Sequence, residues 1–522
     1  MISEIIYGLI QSLSIENILV MTLAITAGVV VGTLPGLSAT MGVALLVPLT
    51  FGMNPATGLL ALGALYTGAM FGGANSAILI NTPGTPAAVA TTFDGYPLTL
   101  KGQADRALIT ALIASVVGGI VGALALIFLA SPLANFALGF GPAENFWLAI
   151  FGLTIIGSLA GKSILKGLIG GSFGLLLALI GMDPATGYPR FTFGSYSLIE
   201  GITLLPAMIG FFSIPQVLNM MERNDKYIAT YKERKGVYKN TIIETIKKPV
   251  VLIRSSIIGT IIGMLPGAGG NVAGFVAYNE SKRFSKTPQE FGKGNIDGVA
   301  TSESANNATV SSSLIPLLTL GIPGSPVAAV LLGGLLIHGL TPGSKLFVES
   351  SGIAYTFIMG LLMANLILLF IGLLGTRLFV KAISIPVHYL APIIAVLAVI
   401  GSYSIRNSLL DVFVMIACGI VGYFSIKCDI LPGPIVLGLV LGIIAENGFV
   451  QASFVSQTGT SMLQIFFTSP ICIILIILTG LSLITPIFMN YLEKRTKQQT
   501  ENLQVAATLI KEGEDGYGKE QS

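Results

Sequence analysis

The sequence predicts an all-α polytopic membrane protein, and its composition, its long apolar runs and an internal repeat support this fold class. Of the 522 residues, 53% are hydrophobic and 10% are charged, whereas a soluble globular protein carries about 25% charged residues. Apolar runs recur along the whole chain, and a run of about 20 residues is long enough to cross the hydrocarbon of a bilayer. By this criterion we predict about 10–13 transmembrane segments, several of them broken helices.

The predicted spans fall into clear and interrupted regions. The interrupted regions lie near 17–90 and 250–340, where Gly and Pro break the apolar sequence and broken helices are expected. The clear spans lie near 107–130, 146–181 (two segments), 198–220, 353–376, 388–405, 408–424, 432–446 and 464–490.

Three short motifs occur twice in the chain. The pairs are Leu34-Pro35-Gly36 with Leu265-Pro266-Gly267, Ala74-Asn75-Ser76-Ala77 with Ala305-Asn306-Asn307-Ala308, and Pro83-Gly84-Thr85-Pro86 with Pro323-Gly324-Ser325-Pro326. The first two pairs are separated by 231 residues and the third by 240, so the chain holds two copies of one unit. Each copy places helix breakers and small polar residues inside apolar sequence. In a membrane protein this pattern indicates a substrate site near the bilayer midplane.

The positive charges are unevenly distributed. No Lys or Arg precedes Lys101, whereas basic residues cluster in the central loop 221–249, in the loop 279–298 and in the C-terminal tail. Because Lys and Arg near spans mark the cytoplasmic side, we predict that these three segments are cytoplasmic. The chain start lacks the basic region of a signal peptide, so the first apolar run is expected to remain in the membrane.

The charges also bear on the orientation of the two copies. After the first motif, the second copy has the basic loop 279–298, whereas the matching stretch 51–58 is uncharged. After the third motif the bias is reversed, because the first copy has Lys101 and Arg106 and the second has only Lys345. This pattern favours an inverted repeat. A parallel repeat is the alternative.

These observations divide the chain into four parts. The central linker mixes basic with acidic residues between two spans, which argues against nucleic-acid binding. The predicted parts are a first membrane repeat at 1–220, a basic cytoplasmic linker at 221–249, a second membrane repeat with C-terminal helices at 250–492, and a cytoplasmic tail at 493–522.

The helix breaks supply groups that bind ions. Proline cannot donate a hydrogen bond and frees a carbonyl in the preceding turn, and an adjacent glycine permits unwinding. Freed carbonyls suit a hard cation such as sodium, and the N-termini of half-helices suit a carboxylate. The alternative is that these residues only kink packed helices. The predicted substrate- and ion-binding residues are Pro35, Gly36, Ser38, Asn75, Ser76, Thr82, Thr85, Pro266, Gly267, Glu303, Asn306, Asn307 and Ser325.

The charged residues near apolar sequence allow further predictions. Glu303 could bind a cation or a proton, and a loop-facing carboxylate is the alternative. Glu144 follows Gly-Pro and is expected to begin a helix, whereas Asp411 is a candidate partner of Arg406. Asn54-Pro55 and Asp183-Pro184 are similar dipeptides, and in both the first residue is expected to cap a helix.

The sequence contains no recognisable enzyme site. It has no phosphate-binding Gly-x-x-x-x-Gly-Lys-[Ser/Thr] loop, no His-Glu-x-x-His and no Gly-x-Ser-x-Gly. The three cysteines and two histidines have no metal-ligand spacing. We therefore predict neither an enzymatic activity nor a cofactor.

The repeated motifs and their neighbours resemble those of the TctA family, the large membrane subunit of tripartite tricarboxylate transporters. The resemblance runs from about residue 15 to 490, and Ser311-Ser312-Ser313 departs from it where more glycine is expected. The matching stretches are Gly32–Thr40, Gly72–Ala77, Asn81–Pro86, Asp183–Gly187, Arg190–Gly194, Pro266–Gly270, Glu303–Ala308 and Leu320–Ser325.

The resemblance implies a multi-pass permease of the bacterial inner membrane, driven by an ion gradient that is usually sodium. It also implies two protein partners, a small four-helix membrane subunit and a periplasmic solute-binding protein that delivers a small carboxylate such as citrate. We therefore expect the permease subunit of a secondary carboxylate importer. The alternatives are a non-transport membrane scaffold, a subunit of a membrane enzyme complex, or a channel.

Overall fold

The computed structural model describes residues 2–159, 164–222, 237–265, 269–382, 387–457, 459 and 461–483. Residues 223–236 of the predicted linker, the whole predicted tail and the pair Pro266-Gly267 lie outside the described residues. The first half contains α1 (Ile2–Ser12), α2 (Ile15–Thr33), α3 (Ala39–Thr50), α4 (Pro55–Ile80), α5 (Val89–Leu100), α6 (Ala104–Ala137), α7 (Pro142–Leu159), α8 (Ile164–Ala178) and α9 (Leu204–Glu222).

The second half has more helices than the first within the described residues. It contains α10 (Val237–Ile246), α11 (Pro249–Met264), α12 (Gly269–Phe284), α13 (Ile296–Ser312), α14 (Leu314–Leu320), α15 (Pro326–Ile337), α16 (Ser344–Glu349), α17 (Ser351–Ala382), α18 (Val387–Arg406), α19 (Leu409–Lys427), α20 (Pro432–Ser456), α21 (Met462–Phe467) and α22 (Pro470–Leu483). Between α8 and α9, β1 (Gly181–Met182) pairs antiparallel with β2 (Pro189–Arg190), so that Gly181 lies opposite Arg190.

The all-α polytopic architecture is confirmed. Within the described residues, eight helices are long and apolar enough to cross a membrane, and five further apolar helices have 10–17 residues. The eight are α2, α4, α6, α9, α17, α18, α19 and α20.

Two predicted spans have different bounds in the structure. The predicted run 198–220 becomes α9, which begins only at Leu204 because the short 3₁₀ helix Tyr196–Leu198 and Gly201, with a φ of 81°, precede it. The predicted run 464–490 is divided between α21 and α22 up to residue 483, and residues 484–490 lie outside the described residues; Pro470 begins the second of these helices. Proline is favoured at a first helical position, so this residue starts a helix and does not extend the preceding one.

The two copies of the repeat have equivalent elements. The helices α2, α3 and α4 correspond to α11, α12 and the α13–α14 pair, whereas α5 corresponds to α15 and α6 to α17. The packing is also equivalent, because α2 packs against α4 as α11 packs against α13. Across the copies, α17 packs against α4 and α6 packs against α13. The internal repeat is therefore present in the fold, and its inversion in the membrane stays a prediction.

Small residues allow the equivalent helix pairs to approach closely. A Cβ atom added at Gly28 of α2 would lie 2.3 Å from the carbonyl oxygen of Leu65 in α4. At Gly259 of α11, the equivalent position, it would lie 2.2 Å from the carbonyl oxygen of Ala305 in α13. Close backbone contact through small residues is the usual packing mode of membrane helices. This packing holds the asparagine motifs of α4 and α13 directly against the helices that end at the first break.

Candidate substrate-binding cavity

A cavity of about 240 Å³ is lined by residues of both copies and of α20. Four lining residues at or next to the helix breaks carry side-chain hydroxyl groups, and Gly269 and Gly270 expose their backbone to the cavity. The hydroxyl residues are Ser38, Thr40, Thr85 and Ser325; the larger apolar or aromatic side chains of the wall are Tyr66, Met70, Phe212, Val327, Leu431 and Leu437. Among the described residues that line the cavity there is no charged side chain.

Several helices begin at the wall of this cavity. The N-terminus of α3 follows Ser38, and that of α15 follows Ser325. A 3₁₀ turn leading into α5 follows Thr85, α12 begins at Gly269, and α20 follows Leu431. The first backbone N–H groups of a helix have no partner inside the helix, and this end carries a partial positive charge. The cavity therefore offers donors and positive potential to an anion without a cationic side chain.

Three side-chain hydroxyl groups at the cavity wall differ in their hydrogen bonds. Ser38 Oγ accepts a hydrogen bond from the Met41 N–H at 3.1 Å, and Ser325 Oγ accepts one from the Ala328 N–H at 3.1 Å. Ser325 also donates to Ser313 Oγ at 3.3 Å. The Thr85 hydroxyl, which is buried, has no hydrogen-bond partner within the described residues. A buried polar atom normally has a partner, and this hydroxyl lies close to Gly73 of α4, because a Cβ atom added at Gly73 would be 2.4 Å from Thr85 Oγ1.

Three predicted residues of the first copy lie behind the break and not on the cavity wall. Asn75 Nδ2 donates to Thr33 Oγ1 at 3.1 Å, and the Thr33 hydroxyl donates to the Gly72 carbonyl at 3.2 Å. Ser76 Oγ donates to the Gly73 carbonyl at 3.4 Å, and Thr82 Oγ1 donates to the Ile80 carbonyl at 3.3 Å. These bonds tie α2 to α4 and stabilise the turn after α4.

Asn306 lies directly behind the cavity wall. Its side chain is fully buried, and neither its Oδ1 nor its Nδ2 has a hydrogen-bond partner within the described residues. A Cβ atom added at Gly270 would lie 2.6 Å from Asn306 Oδ1. The missing side chain at position 270 thus lets the Asn306 amide approach the N-terminus of α12.

Glu303 and Asn307 belong to a separate polar cluster within the protein. The Glu303 carboxylate accepts hydrogen bonds from the Thr91 hydroxyl, from Ser115 Oγ at 3.1 Å and from Asn307 Nδ2 at 3.2 Å. These residues lie on α13, α5 and α6, so the cluster connects the two copies. The alternative of a loop-facing Glu303 is wrong, because its side chain is fully buried.

The first Pro-Gly break unwinds the chain, but its glycine faces another helix. Helix α2 ends at Thr33, and Gly36 has a φ of 91°, in the left-handed region that favours glycine. A Cβ atom added there would lie 3.0 Å from Gln216 Nε2 of α9. Pro35 is buried at the same turn, and neither residue lines the cavity. The equivalent pair in the second copy lies outside the described residues.

The sequence interpretation missed part of the wall. Tyr66 and Met70 lie on a fully apolar face of α4, and no local signal distinguishes them from core residues. Pro432-Gly433-Pro434 did carry a signal, because it is a further Pro-Gly break, but it begins an apolar run and was assigned to a continuous span. A sequence criterion that treats a break at the start of a span like an internal break would have found it.

Glu144 and Asp411, two other charged residues near apolar sequence, form hydrogen bonds or ion pairs within the protein. Glu144 accepts a hydrogen bond from the Gly141 N–H at 2.9 Å at the start of α7, and Asp411 pairs with Arg406 at 2.9 Å, as predicted. Asn54 caps α4, also as predicted. The helix-cap prediction for Asp183 is wrong, because this residue precedes the turn between β1 and β2.

The asparagine and aspartate motifs differ because the following sequence differs. Asn54-Pro55 leads into an apolar helix, whereas the chain after Asp183-Pro184 returns through a hairpin that Arg190 holds to Glu446 of α20. In that hairpin Asp183 accepts hydrogen bonds from the N–H groups of Ala185 and Thr186. These bonds lower the pKa of the Asp183 carboxyl below its usual value.

Comparison with known proteins is consistent with this architecture. The profile of the tripartite tricarboxylate transporter TctA family matches residues 18–437. No solved structure matches the chain.

Two relatives come from Agrobacterium vitis. An uncharacterized 52.8 kDa protein in the TAR-I ttuC′ 3′ region is 39% identical over 472 residues, which cover 90% of this chain and 93% of the relative. An uncharacterized protein in the TAR-II ttuC′ 3′ region is 39% identical over 240 residues, 46% of this chain and 97% of that relative. With a family match that includes both repeats and the cavity, the chain belongs to the TctA family, the large membrane subunit of tripartite tricarboxylate transporters.

Proposed function

We propose that this protein is the permease subunit of a tripartite secondary transporter that imports a carboxylate of the tricarboxylate type. A cation gradient drives uptake, and sodium is the coupling cation. The transporter lies in the bacterial inner membrane, with a small four-helix membrane subunit and a periplasmic solute-binding protein as partners. The two repeats face opposite sides of the membrane.

One observation carries this proposal: helix N-termini from both copies begin at the wall of one cavity. Five such ends, with a buried Thr85 hydroxyl that has no described partner, form a site for an anion. A site shared by two repeats is also what alternating access requires, since one repeat can move against the other around a fixed ligand.

The absence of cationic side chains among the described lining residues supports a coupling cation. Helix ends contribute only partial charges, about half an elementary charge each. The five ends together supply at most about two and a half elementary charges, so a tricarboxylate leaves negative charge uncompensated in a low-dielectric site, and a bound cation removes this cost. Carbonyl oxygens at the breaks are the hard ligands that sodium prefers.

The test is uptake by the complete complex. The chain would be reconstituted in liposomes with its small membrane subunit and its solute-binding protein, and radiolabelled citrate, tricarballylate, succinate and tartrate would be supplied separately. We expect one or more of these carboxylates to accumulate under an inward sodium gradient and not under an equal choline gradient. No accumulation of any of them under a sodium gradient would contradict the proposal.

A pair of glycine variants connects uptake to the cavity. Gly270→Ala places a methyl group 2.6 Å from Asn306 Oδ1 at the cavity wall, and it should reduce uptake strongly. Gly52→Ala is the control, because a Cβ atom there meets no atom within 4 Å. If both variants transport like the wild type at equal membrane abundance, the substrate binds elsewhere.

A further inference from the structure

We propose that Glu303 binds a proton and forms a second coupling site, separate from the cavity that binds the carboxylate. The proposal rests on the proposed transport function and adds a proton to the coupling cation named there. It rests first on burial, since the side chain of Glu303 has no exposed surface. Within the described residues, no Lys, Arg or His forms an ion pair with it. An isolated ionised carboxylate is costly in such surroundings, and a bound proton removes that cost.

The hydrogen bonds of the cluster favour a proton over a metal cation. The two N–H groups of Asn307 Nδ2 are shared among three acceptors, namely Glu303 Oε2, the Glu303 carbonyl oxygen at 3.1 Å and Ser115 Oγ at 2.8 Å, and this network assigns the orientation of the amide. The amide therefore presents N–H to the carboxylate. A hard cation needs oxygen ligands, and a cation at Glu303 Oε2 would face this N–H group.

The same geometry accommodates a neutral carboxyl group. Oε2 accepts hydrogen bonds from Ser115 and Asn307, as the carbonyl oxygen of a carboxylic acid does. A proton delivered from the aqueous phase as hydronium forms an O–H bond at Oε1 and leaves a water molecule, and Thr91 Oγ1 then accepts this O–H where it previously donated. A hydroxyl can exchange these roles by rotation, so the hydrogen bond between Oε1 and Thr91 Oγ1 is kept.

Most of the other charged groups on the neighbouring helices have partners of their own. On α5, Asp94 accepts hydrogen bonds from Tyr278 of α12 and from three backbone N–H groups of the loop before α13. Asp105 lies ten residues before Ser115 on α6, about 15 Å away along the helix axis. The helices α4 and α14 carry no charged residue. Three further ion pairs lie on these helices: Arg106 with Glu244, Lys248 with Asp297, and Arg283 with Glu280. The Arg254 guanidinium lies over the Phe284 ring, and Lys282 lies in the last turn of α12.

The position of the cluster connects it to the cavity through two helices. Thr91 lies six residues after Thr85 along the turn and helix that start at the cavity wall, about 9 Å at 1.5 Å per residue. On α13, Asn306 lies one turn after Glu303 and contacts the α12 N-terminus at the wall. A movement of α5 or α12 when the cavity fills therefore changes the hydrogen bonds of Glu303, and with them its affinity for the proton.

The first test detects the proton directly and needs no substrate. Infrared difference spectra of the full chain in liposomes would be recorded from acidic to alkaline pH. We expect the wild type to show the carbonyl stretch of a buried protonated carboxyl group, and we expect this band to be absent in Glu303→Gln. Glu349→Gln is the matched control, because Glu349 is exposed, and it should keep the band. Identical spectra for the wild type and Glu303→Gln would overturn the proposal.

Thr91→Val provides a second variant for this test in case Glu303→Gln does not fold. It keeps the carboxyl group and removes only the partner of Oε1, so the band should remain while its titration midpoint moves. A band whose midpoint is the same in Thr91→Val and in the wild type does not arise from Glu303, and the proposal would then be wrong.

The second test measures coupling in the reconstituted complex, with the carboxylate that accumulates in the uptake assay. A pH-sensitive dye inside the liposomes should report proton entry together with carboxylate entry in the wild type. In Glu303→Gln the ratio of protons to carboxylate should fall, which a purely structural defect would not produce. An unchanged ratio would overturn the proposal. If the wild type transports no carboxylate, the proposed function fails, while the infrared result still decides whether Glu303 is protonated.

Discussion

Thr85 and Ser325 occupy equivalent positions of the two repeats, each directly before a proline that begins a helix at the cavity, but their hydroxyl groups are used differently. Ser325 Oγ accepts a hydrogen bond from the Ala328 N–H at 3.1 Å and caps α15. The Thr85 hydroxyl makes no such cap and has no partner within the described residues. The repeat thus supplies one hydroxyl that stabilises a helix and one that has no hydrogen-bond partner in the part of the chain that the structure describes.

This difference predicts that removing one hydroxyl lowers the stability of the protein, whereas removing the other weakens binding of the carboxylate. Ser325→Ala should lower the free energy of unfolding by about 1 kcal/mol, the usual contribution of an N-cap. Thr85→Val should change stability by less than about 0.5 kcal/mol and should weaken carboxylate binding about tenfold, because it removes a hydrogen bond to the ligand. Thermal unfolding and the concentration dependence of uptake measure the two effects. Wild-type affinity in Thr85→Val would show that this hydroxyl does not contact the substrate.

The sequence predicted the positions of the helix breaks better than the contacts of individual residues. The repeated Pro-Gly breaks located the start of α3, α12 and α15, because proline and glycine act locally and their effect on a helix is visible in the chain. The contacts of Asn75 were not predictable, since its partner Thr33 lies on another helix and the register between α2 and α4 is set by packing. Tyr66 was missed for the same reason: its place on the wall depends on which face of α4 meets α15.

The turn at Gly84 predicts a strict requirement for glycine. A Cβ atom at this position would lie 1.8 Å from the Gly32 carbonyl oxygen of α2, which is too close for any side chain. Gly84→Ala should therefore destabilise the protein by about 1–3 kcal/mol or more, measured by thermal unfolding and membrane abundance. Gly52→Ala, where a Cβ atom meets nothing within 4 Å, is the control and should behave like the wild type. Equal abundance of the two variants would mean that the turn rearranges easily.

The charge distribution predicts the topology. Single cysteines would replace Met53 and Lys286, both exposed, in a chain in which the three native cysteines are changed to serine. An impermeant thiol reagent should label position 53 in whole cells and position 286 only after the membrane is permeabilised, because Lys and Arg mark the cytoplasmic side. Labelling of both positions in whole cells would contradict the inverted repeat.

The hairpin between α8 and α9 should depend on pH through Asp183. Its pKa is lowered by the N–H groups of Ala185 and Thr186, which bind the charged form. This contribution to stability is present above the usual aspartate pKa and is lost as the pH falls through the lowered value. The hairpin should therefore persist at mildly acidic pH. Hydrogen exchange at these two amides measures the effect, with Asp183→Asn as comparison; fast exchange in the wild type at mildly acidic pH would contradict it.

The two repeated asparagines give the sharpest prediction, because Asn75 has a hydrogen-bond partner and the Asn306 side chain has none of regular geometry within the described residues. Asn75→Ala removes the bond to Thr33 and should reduce stability by about 0.5–1.5 kcal/mol, with a small effect on affinity. Asn306→Ala removes no described hydrogen bond. If the amide binds substrate or sodium, its removal should weaken that binding by about 1–3 kcal/mol, roughly ten- to a hundredfold in affinity.

Thr33→Val is the matched control for Asn75, since it removes the same bond from the other side. Uptake measured against carboxylate and sodium concentrations gives the affinities, and thermal unfolding gives the stabilities. Thr33→Val should reproduce the stability loss of Asn75→Ala, and Asn306→Ala should change affinity without this loss. If Asn306→Ala instead unfolds more easily and keeps both wild-type affinities, the amide supports packing, and the cation and substrate are held by the helix ends and hydroxyls alone.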